Sequence, residues 1–278
     1  MVRSRAGRTD VARRTASGHG SGVGVWEVIG LALAASAAGA INAVAGGGSL
    51  ISFPALLGFG YDAKPANVTN TVALWPGYAA GSFGYREELR RQKRRLVALA
   101  WPSVGGALAG SVILLATPSS VFDAIVPFLI LFAVLLMAFQ DQLADVALSH
   151  RLRSDDAEAV PLTLHVATFV LAVYGAYFGA GLGILTLAFL TILLPDDIQH
   201  SNALKGMLSL LINAVAVVWF ALFGPVEWGP AAVMAAGAVL GGYIGVGIAR
   251  RLGRRWLRWA VIGYGSVVAG VLLVQLVA

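Results

Sequence analysis

Long apolar stretches separated by short polar segments run through most of the sequence. Eight of them are close to the roughly 20 residues that an α-helix needs to cross the hydrocarbon core of a bilayer. They lie at 26–45, 66–85, 96–116, 121–139, 161–179, 202–223, 228–249 and 257–278. Two further apolar stretches, 46–59 and 181–194, are shorter and begin in glycine clusters, which is typical of re-entrant or broken helices. The pattern predicts an all-α polytopic membrane protein with eight or nine transmembrane helices.

The composition supports a membrane location and narrows the chemistry. Of 278 residues, 58% are hydrophobic and 12% are charged, and the mean hydropathy is +0.78. Water-soluble enzyme folds, in which roughly a quarter of the residues are charged, are excluded. Cysteine is absent, which excludes disulfides, thiol nucleophiles and cysteine-ligated metal sites. The 34 glycines and 10 prolines are typical of membrane helices that pack closely or are broken, and so favour a transporter.

Polar segments divide the chain into four parts. Residues 1–25 contain five arginines among Ser, Thr and Gly, and we interpret them as a disordered basic cytoplasmic arm. A cleaved signal peptide is the alternative, but the apolar stretch that follows is too long and continues into further apolar sequence. The first transmembrane repeat occupies 26–140, a linker 141–160 and the second repeat 161–278.

The two halves resemble each other when the sequence is shifted against itself by 135 positions without a gap. The shift pairs Ala45 with Ala180, Gly46 with Gly181, Gly48 with Gly183, Leu50 with Leu185, Asn67 with Asn202, Gly106 with Gly241 and Gly110 with Gly245. The glycine clusters and the asparagines keep the same separation in both halves. This agreement indicates a tandem duplication of one transmembrane unit.

Basic residues occupy different loops in the two halves. The first half has Arg86, Arg90, Arg91, Lys93, Arg94 and Arg95 between its second and third long spans. The second half has Arg250, Arg251, Arg254, Arg255 and Arg258 between its last two spans. Because basic loops face the cytoplasm, equivalent loops are expected on opposite sides, as in an inverted repeat. Eight crossings would separate these blocks, so we slightly favour nine, with 181–194 as the additional crossing and the C-terminus outside.

Glycine clusters mark the positions where the helices are expected to break. Gly46, Gly47 and Gly48 interrupt the first half, and Gly181 and Gly183 interrupt the second. A break at membrane depth frees backbone amide and carbonyl groups, which is tolerated where they line a cavity or are satisfied by protein. The positive N-terminal ends of the resulting half-helices suit a bound anion. Each repeat is therefore predicted to contain a glycine-broken hairpin that contacts the substrate.

These motifs give the sequence its resemblance to a known family. Gly-Gly-Gly-Ser-Leu-Ile-Ser-Phe-Pro-Ala-Leu from Gly46, Ala-Asn-Val-Thr-Asn from Ala66, and weaker copies at Gly179 and Ser201 resemble the sulfite exporter TauE/SafE family of membrane transporters. The resemblance runs over about residues 25–278. It implies transport of a sulfur oxyanion, such as sulfite or an organosulfonate, across the bacterial cytoplasmic membrane. The second copy departs from the pattern, with Phe189 in place of a proline and Lys205 in place of a small polar residue.

Polar side chains near the glycine clusters are candidates for substrate binding. Asn67, Thr69 and Asn70 lie near the start of a span, and Asn202 occupies the matching place in the second half. Their amide and hydroxyl groups suit an oxyanion, although helix capping or hydrogen bonding between helices is the alternative. Asn42 precedes the first cluster and is expected to support its unwound backbone.

Lys205 adds the positive charge that an anion site requires. It lies three residues after Asn202, so both are on one face of the same helix. Snorkelling to the membrane interface is an equal alternative for this side chain. Lys64 is better explained as a boundary residue.

Together these features predict a secondary transporter that moves a small anion by alternating access. A channel or uniporter for another small solute, or a membrane assembly subunit without transport, is the alternative. The sequence has no Walker A motif, and its spans contain too few acids and histidines for an intramembrane enzyme, so we expect no enzymatic activity and no cofactor or metal. The expected partners are the anion, the lipid bilayer and a coupling proton or other ion, with a homodimer open. Because the basic residues lie in loops, no nucleic-acid partner is expected.

Overall fold

Helices make up the regular structure of the described part of the chain. The computed structural model describes residues 24–44, 47–82, 92–149, 160–194, 198–252 and 254–277, in which no strand occurs. Its helices are α1 (Val25–Val44), α2 (Ser49–Gly58), α3 (Ala63–Ser82), α4 (Lys93–Ala116), α5 (Ser119–Ala138), α6 (Gln140–Ser149), α7 (Leu162–Tyr177), α8 (Leu182–Leu193), α9 (Ile198–Phe223), α10 (Trp228–Leu252) and α11 (Arg254–Val277). The predicted all-α class is confirmed.

Among the residues that the structure describes, five helices are long and apolar enough to cross a membrane by length and composition. They are the segments Val25–Asn42, Lys93–Ala116, Ser119–Ala138, His200–Phe223 and Trp256–Leu276. Large apolar side chains on their outer surfaces are exposed, among them Leu33, Val112 and Phe128. In water such a surface would be costly, whereas lipid tails solvate it. The architecture is that of a multi-pass membrane protein.

Helix boundaries in the two halves correspond at the offset found in the sequence. Adding 135 to the bounds of α4 gives 228–251, and α10 lies at Trp228–Leu252. The same addition to α3 gives 198–217, and α9 begins at Ile198. The short helices α2 and α8 also correspond, since each follows a glycine turn. Both halves therefore contain the same five elements in the same order.

The two halves pack against each other instead of forming separate domains. Helix α1 lies against α10, and the corresponding helices α7 and α4 also lie against each other. Helix α3 packs on both α9 and α10, while α5 packs on α11. One buried cluster of apolar side chains contains residues from both halves, including Leu50, Phe122 and Phe220. The core lies between the repeats.

Glycines allow the paired helices to approach closely. A Cβ on Gly241 of α10 would lie 1.9 Å from the Ser36 carbonyl oxygen of α1, and one on Gly106 of α4 would lie 2.4 Å from the Phe169 carbonyl oxygen of α7. Neither position has room for a larger residue. Four residues before Gly241, Gly237 meets Ala32, four residues before Ser36. The matching order of contacts means that α1 and α10 run in the same direction.

Hydrogen bonds define the two ends of the helix bundle. At one end the Tyr61 hydroxyl donates to Glu27, while Lys64 reaches the last carbonyls of α4. We call it the Glu27 end. At the other end Arg258 forms an ion pair with Asp141, and the Gln92 amide donates to the His200 carbonyl over 3.0 Å. We call it the Arg258 end, and the starts of both α4 and α11, which carry basic residues, lie there.

Each short helix folds back along the helix before it. The Phe59 ring at the end of α2 lies against Gly30 near the start of α1, so the α1–α2 hairpin returns to the Glu27 end. Leu194 after α8 lies in one apolar cluster with Leu164 near the start of α7, so the α7–α8 hairpin returns to the Arg258 end. The nine-crossing arrangement requires 181–194 to cross the membrane while 46–59 does not. It is not found, because both segments form short helices that return to the end from which their hairpin started.

The linker contains a helix of its own. Helix α6 follows α5 directly and packs against α8. The ion pair between Asp141 and Arg258 joins it to the start of α11. Residues 150–159 of the linker, and residues 1–23 of the predicted basic arm, lie outside the described part of the chain.

Candidate functional site

The two hairpins meet in the interior of the bundle. The Phe53 ring in the first turns of α2 and the Phe178 ring after α7 are 5.5 Å apart between centroids in an edge-to-face arrangement. Both glycine turns also lie beside the same segment of α5, with Gly47 next to Met137 and Gly181 next to Leu136. Broken backbone from the two halves is thus brought together at one place.

The first glycine turn is held by a side chain that precedes it. Gly47 has φ +88°, a left-handed conformation that suits glycine. The Gly48 amide then donates a hydrogen bond of 2.7 Å to Asn42 Oδ1. Asn42 thus binds the backbone at the glycine turn. Gly46 lies outside the described residues.

Further polar side chains surround the start of α2. The Ser52 hydroxyl donates a hydrogen bond of 2.6 Å to Asn70 Oδ1, and both residues are buried. The Tyr78 hydroxyl lies close to the side chains of Asn42 and Ser49. We call these residues, Asn42, Ser49, Ser52, Asn70 and Tyr78, the first-hairpin cluster. It contains no ionisable group that is charged at neutral pH.

Sequence reasoning selected only Asn42 and Asn70 from this cluster. Ser49 and Ser52 lie within the Gly-Gly-Gly-Ser-Leu-Ile-Ser motif from Gly46, and their spacing of three residues puts them on one helix face. That spacing was the available signal for both. The sequence contains no comparable signal for Tyr78, because its contact with the first hairpin exists only once α3 packs against α1 and α2.

Asn67 and Thr69 bind other parts of the backbone. Asn67 Nδ2 donates a hydrogen bond of 2.9 Å to the Tyr177 carbonyl oxygen, at the C-terminus of α7. Thr69 Oγ1 accepts one of 2.9 Å from the Glu227 amide, just before α10. Both contacts join the first half to the second. In this conformation both side chains form hydrogen bonds between helices. Such bonds were the alternative to substrate contact in the sequence analysis.

The second glycine turn lies beside a cation. Gly181 precedes α8 with φ +78°. A Cβ on Gly183 would lie 3.7 Å from Lys205 Cδ, so the lysine side chain passes the start of α8. Lys205 Nζ donates a hydrogen bond of 2.6 Å to Asn202 Oδ1. The ammonium group is therefore near the positive N-terminal end of a helix, where an anion is stabilised.

The structure does not bring Asn67 and Asn202 together. Helices α3 and α9 cross where Trp75 Nε1 donates to the Leu210 carbonyl oxygen over 3.3 Å. Each asparagine lies eight residues from this crossing, in opposite directions, which at 1.5 Å per residue is about 12 Å on each side. Asn67 and Asn202 are therefore about 24 Å apart along the bundle, whereas the glycine turns of the two hairpins both lie beside α5.

Charged groups at the Glu27 end stabilise helix and loop structure. Lys64 Nζ donates to the carbonyl oxygens of Leu115 and Thr117 over 2.8 and 2.6 Å, at the negative end of α4, as expected for a boundary residue. Burial, and then the hydrogen bond to Glu27, raise the pKa of Tyr61 well above its usual range. Within the described ranges, no group of three or more His, Asp or Glu side chains could hold a metal ion.

Comparisons with known proteins agree with this architecture. The family profile "Sulfite exporter TauE/SafE" matches residues 31–272. A "Probable membrane transporter protein" of Haemophilus influenzae is 30% identical over 227 residues, which cover 80% of this chain and 85% of the relative. The "Probable membrane transporter protein ORF9" of Sinorhizobium sp is 27% identical over 217 residues, 77% of this chain and 80% of the relative.

A third relative, the "Probable membrane transporter protein YfcA" of Escherichia coli, is 25% identical over 238 residues, which cover 85% of this chain and 86% of the relative. No solved structure gives a significant match. The match to the family profile includes both hairpins and nearly all of the transmembrane helices. The chain therefore belongs to the sulfite exporter TauE/SafE family of membrane transporters.

Proposed function

We propose that the protein is a secondary transporter that moves a small anion, a sulfur oxyanion such as sulfite or an organosulfonate, across the bacterial cytoplasmic membrane. The observation that carries the proposal is the meeting of two glycine-broken hairpins, which enter the bundle from opposite ends and touch at Phe53 and Phe178. Broken helices at membrane depth are typical of transporter binding sites, because their ends provide backbone groups and helix dipoles for an ion.

The groups around the hairpins favour an anion. Helices α2 and α8 both begin in the interior, so their positive N-terminal ends are available to a negatively charged substrate. The first-hairpin cluster offers hydroxyl and amide donors, and Lys205 on the second side adds one positive charge. An oxyanion that passes from the first hairpin to the second would leave the neutral donors of the first-hairpin cluster and meet the Lys205 ammonium group.

Alternating access follows from an inverted relation between the halves. The paired helices α1 and α10, and α4 and α7, support this relation, since each repeat supplies the partner of the other. In the proposed cycle the contact of Phe53 with Phe178 and the hydrogen bond from Asn67 to Tyr177 form in one state and break in another. Phe53 and Phe178 belong to different hairpins, and Asn67 of the first half binds the end of α7 in the second half. Movement of one half against the other would therefore break both contacts.

The proposed orientation puts the Arg258 end in the cytoplasm. Both basic loops adjoin that end, and the positive-inside rule assigns such loops to the cytoplasmic side. The start of α1 and the end of α11 then lie on the outer side of the membrane. The cytoplasmic basic arm at residues 1–25 that the sequence predicts is the alternative for the start of α1.

A transport assay tests the proposal. Proteoliposomes with the purified chain are given labelled sulfite, methanesulfonate or sulfate, with and without an imposed pH gradient. We expect saturable flux that Asn70→Ala removes, because its partner Ser52 shares the first-hairpin cluster. The matched control is Asn213→Ala, since Asn213 is also buried but donates to Ser209 of its own helix. Flux that never saturates would indicate a channel, and no flux from folded protein would contradict an anion carrier.

A topology assay tests the orientation independently. A reporter fused after Ala278 is expected on the outer side, and one inserted between residues 150 and 159 in the cytoplasm. Reporters on the same side of the membrane would contradict the proposed arrangement.

A further inference from the structure

A groove runs along the outer surface of the second hairpin. It lies between α7 and Phe189 of α8 and has a volume of about 510 Å³. Apolar side chains such as Val166, Val170 and Leu171 line it, and among its described lining residues only Thr163 is polar. On the outer surface of a membrane protein, an apolar groove opens to the hydrocarbon of the bilayer. The transport function proposed above does not use this groove.

The equivalent face of the first hairpin is buried. At the offset of 135 positions, Val166 and Val170 of α7 correspond to Leu31 and Ala35 of α1. Leu31 and Ala35 are both 0% exposed, whereas Val166 and Val170 are 56% and 58% exposed. Other parts of the protein thus cover this face in the first half and leave it open in the second.

A shift in helix packing explains the difference. Gly241 of α10 meets Ser36 of α1, and their equivalents are Gly106 of α4 and Leu171 of α7. Gly106, however, meets Phe169 instead of Leu171. Because two residues turn a helix by about 200°, α4 packs on a different face of α7 from the one that α10 covers on α1. The packing between the repeats therefore creates the groove.

The groove matches one leaflet of the bilayer in length and polarity. It extends from Leu162 to Leu171 of α7. At 1.5 Å per residue this is about 14 Å, and half of the hydrocarbon core is about 15 Å thick. Thr163 lies in the first turn of α7, at the Arg258 end, where the headgroup region begins. The lining residues beyond Thr163, deeper in the membrane, are apolar.

We propose that this groove binds one acyl chain of a phospholipid from the leaflet at the Arg258 end, with the ester groups of the lipid beside Thr163. A phospholipid has the same order of polar and apolar parts as the groove. A helix of a second copy fits less well, because a helix about 10 Å across occupies about 1,100 Å³ over this length, about twice the volume of the groove.

Dispersion contacts favour a chain in the groove over one on a flat surface. A lipid tail on a flat surface touches the protein on one side, whereas a chain in the groove touches both α7 and α8. Between groups that lipid also solvates, such packing is what drives association in a membrane. The bound chain would hold α8 against α7 in the second hairpin.

Photolabelling of the full-length protein tests the proposal without a transport measurement. The probe is a phosphatidylglycerol with a diazirine group on one acyl chain, added to vesicles that contain the protein, and labelled peptides are identified by mass spectrometry. The outer face of α11 is the reference, where Val267, Val271 and Val274 are 65%, 51% and 68% exposed. Per exposed residue, we expect at least about threefold more label on residues 162–171, because contacts in a groove outnumber those on a convex surface.

A variant that fills the groove should remove the excess label. Ala167 lines the groove, and Ala167→Phe should lower the label on α7 to the level of α11. The matched control is Val267→Phe, which adds a ring at an exposed position of α11 and should leave the label on α7 unchanged. Thermal unfolding checks that both variants fold. Titration of the wild type with the probe in detergent needs no variant, since label on α7 should saturate while label on α11 rises in proportion to the probe.

Three outcomes would overturn the site. Equal labelling of α7 and α11 in the wild type, without saturation on α7, would show ordinary contact with bulk lipid. Unchanged labelling of α7 in folded Ala167→Phe would place the lipid elsewhere. Absence of label on α7, together with a dimer in native mass spectrometry that Ala167→Phe dissociates, would assign the groove to a second copy. None of these outcomes depends on anion flux, so the transport function is tested separately.

Discussion

Replacing Gly48 by alanine tests whether close backbone approach builds the first glycine turn. An added Cβ would lie 2.2 Å from the Ala38 carbonyl oxygen and 2.8 Å from Asn42 Cγ. Because the first of these atoms belongs to the backbone, α1 and α2 must move apart to make room. The movement would also weaken the hydrogen bond of 2.7 Å from the Gly48 amide to Asn42.

The two losses can be estimated separately. Insertion of a methyl group into a packed interior costs about 1–3 kcal/mol. Loss of one hydrogen bond costs about 1 kcal/mol. Gly48→Ala is therefore expected to lower the free energy of unfolding by about 2–4 kcal/mol, which for a chain of this size corresponds to a fall in Tm of about 5–15 °C.

Gly58→Ala is the matched control. Gly58 is the last residue of the same helix, and an added Cβ there would have nothing within 4 Å. Thermal unfolding of both purified variants in detergent, followed by tryptophan fluorescence, gives the comparison. We expect the Tm of Gly58→Ala to equal or slightly exceed that of the wild type, since alanine favours helix over glycine. Equal Tm values for Gly48→Ala and Gly58→Ala would refute the reasoning.

Three further predictions concern contacts between helices and at the Glu27 end. Gly241→Ala and Gly106→Ala should each lower the Tm more than Gly263→Ala, because only the first two meet a carbonyl oxygen; similar Tm values for all three would contradict close helix approach. Asn67→Ala should cost about 1–3 kcal/mol by leaving the Tyr177 carbonyl unsatisfied, measured by chemical unfolding, with Asn213→Ala for comparison. For Tyr61→Phe, the raised pKa means that the hydrogen bond to Glu27 stabilises the wild type fully below about pH 10, and this advantage is lost as the pH rises further. The difference in Tm between wild type and Tyr61→Phe should therefore be constant from pH 7 to 9. A difference that disappears within this range would show that the Tyr61 hydroxyl does not stay protonated.

Features that depend on local sequence were predictable. The span at 96–116 corresponds to α4 at Lys93–Ala116, and that at 228–249 to α10 at Trp228–Leu252, because the length of an apolar stretch sets the length of a membrane helix. The glycine turns were also predictable, since residues such as Gly47 and Gly181 adopt φ values that other residues rarely do. The offset of 135 positions in the sequence predicted the correspondence of helix boundaries.

The partners of the polar side chains were not predictable. Asn67 and Asn202 are equivalent in the sequence, yet one binds the Tyr177 carbonyl and the other accepts a hydrogen bond from Lys205. Hydrogen bonds of this kind depend on which helices pack together and at what height, and equivalent positions in two repeats meet different neighbours. For the same reason Thr186 and Ser201 are unremarkable in the sequence and become noticeable only when burial leaves their hydroxyls without partners.

The sequence by itself thus determined that the chain is an all-α membrane protein, where its helices lie, where they break, and that one half repeats the other. These properties follow from hydrophobic length, glycine position and internal similarity, which are local or periodic along the chain. Only the tertiary structure decided that both short helices fold back, that the hairpins enter from opposite ends and meet at Phe53 and Phe178, and that Asn67 and Asn202 lie far apart. Those features arise from the packing of distant segments, in which small residues fix the approach of the helices and so the partner of every buried polar group.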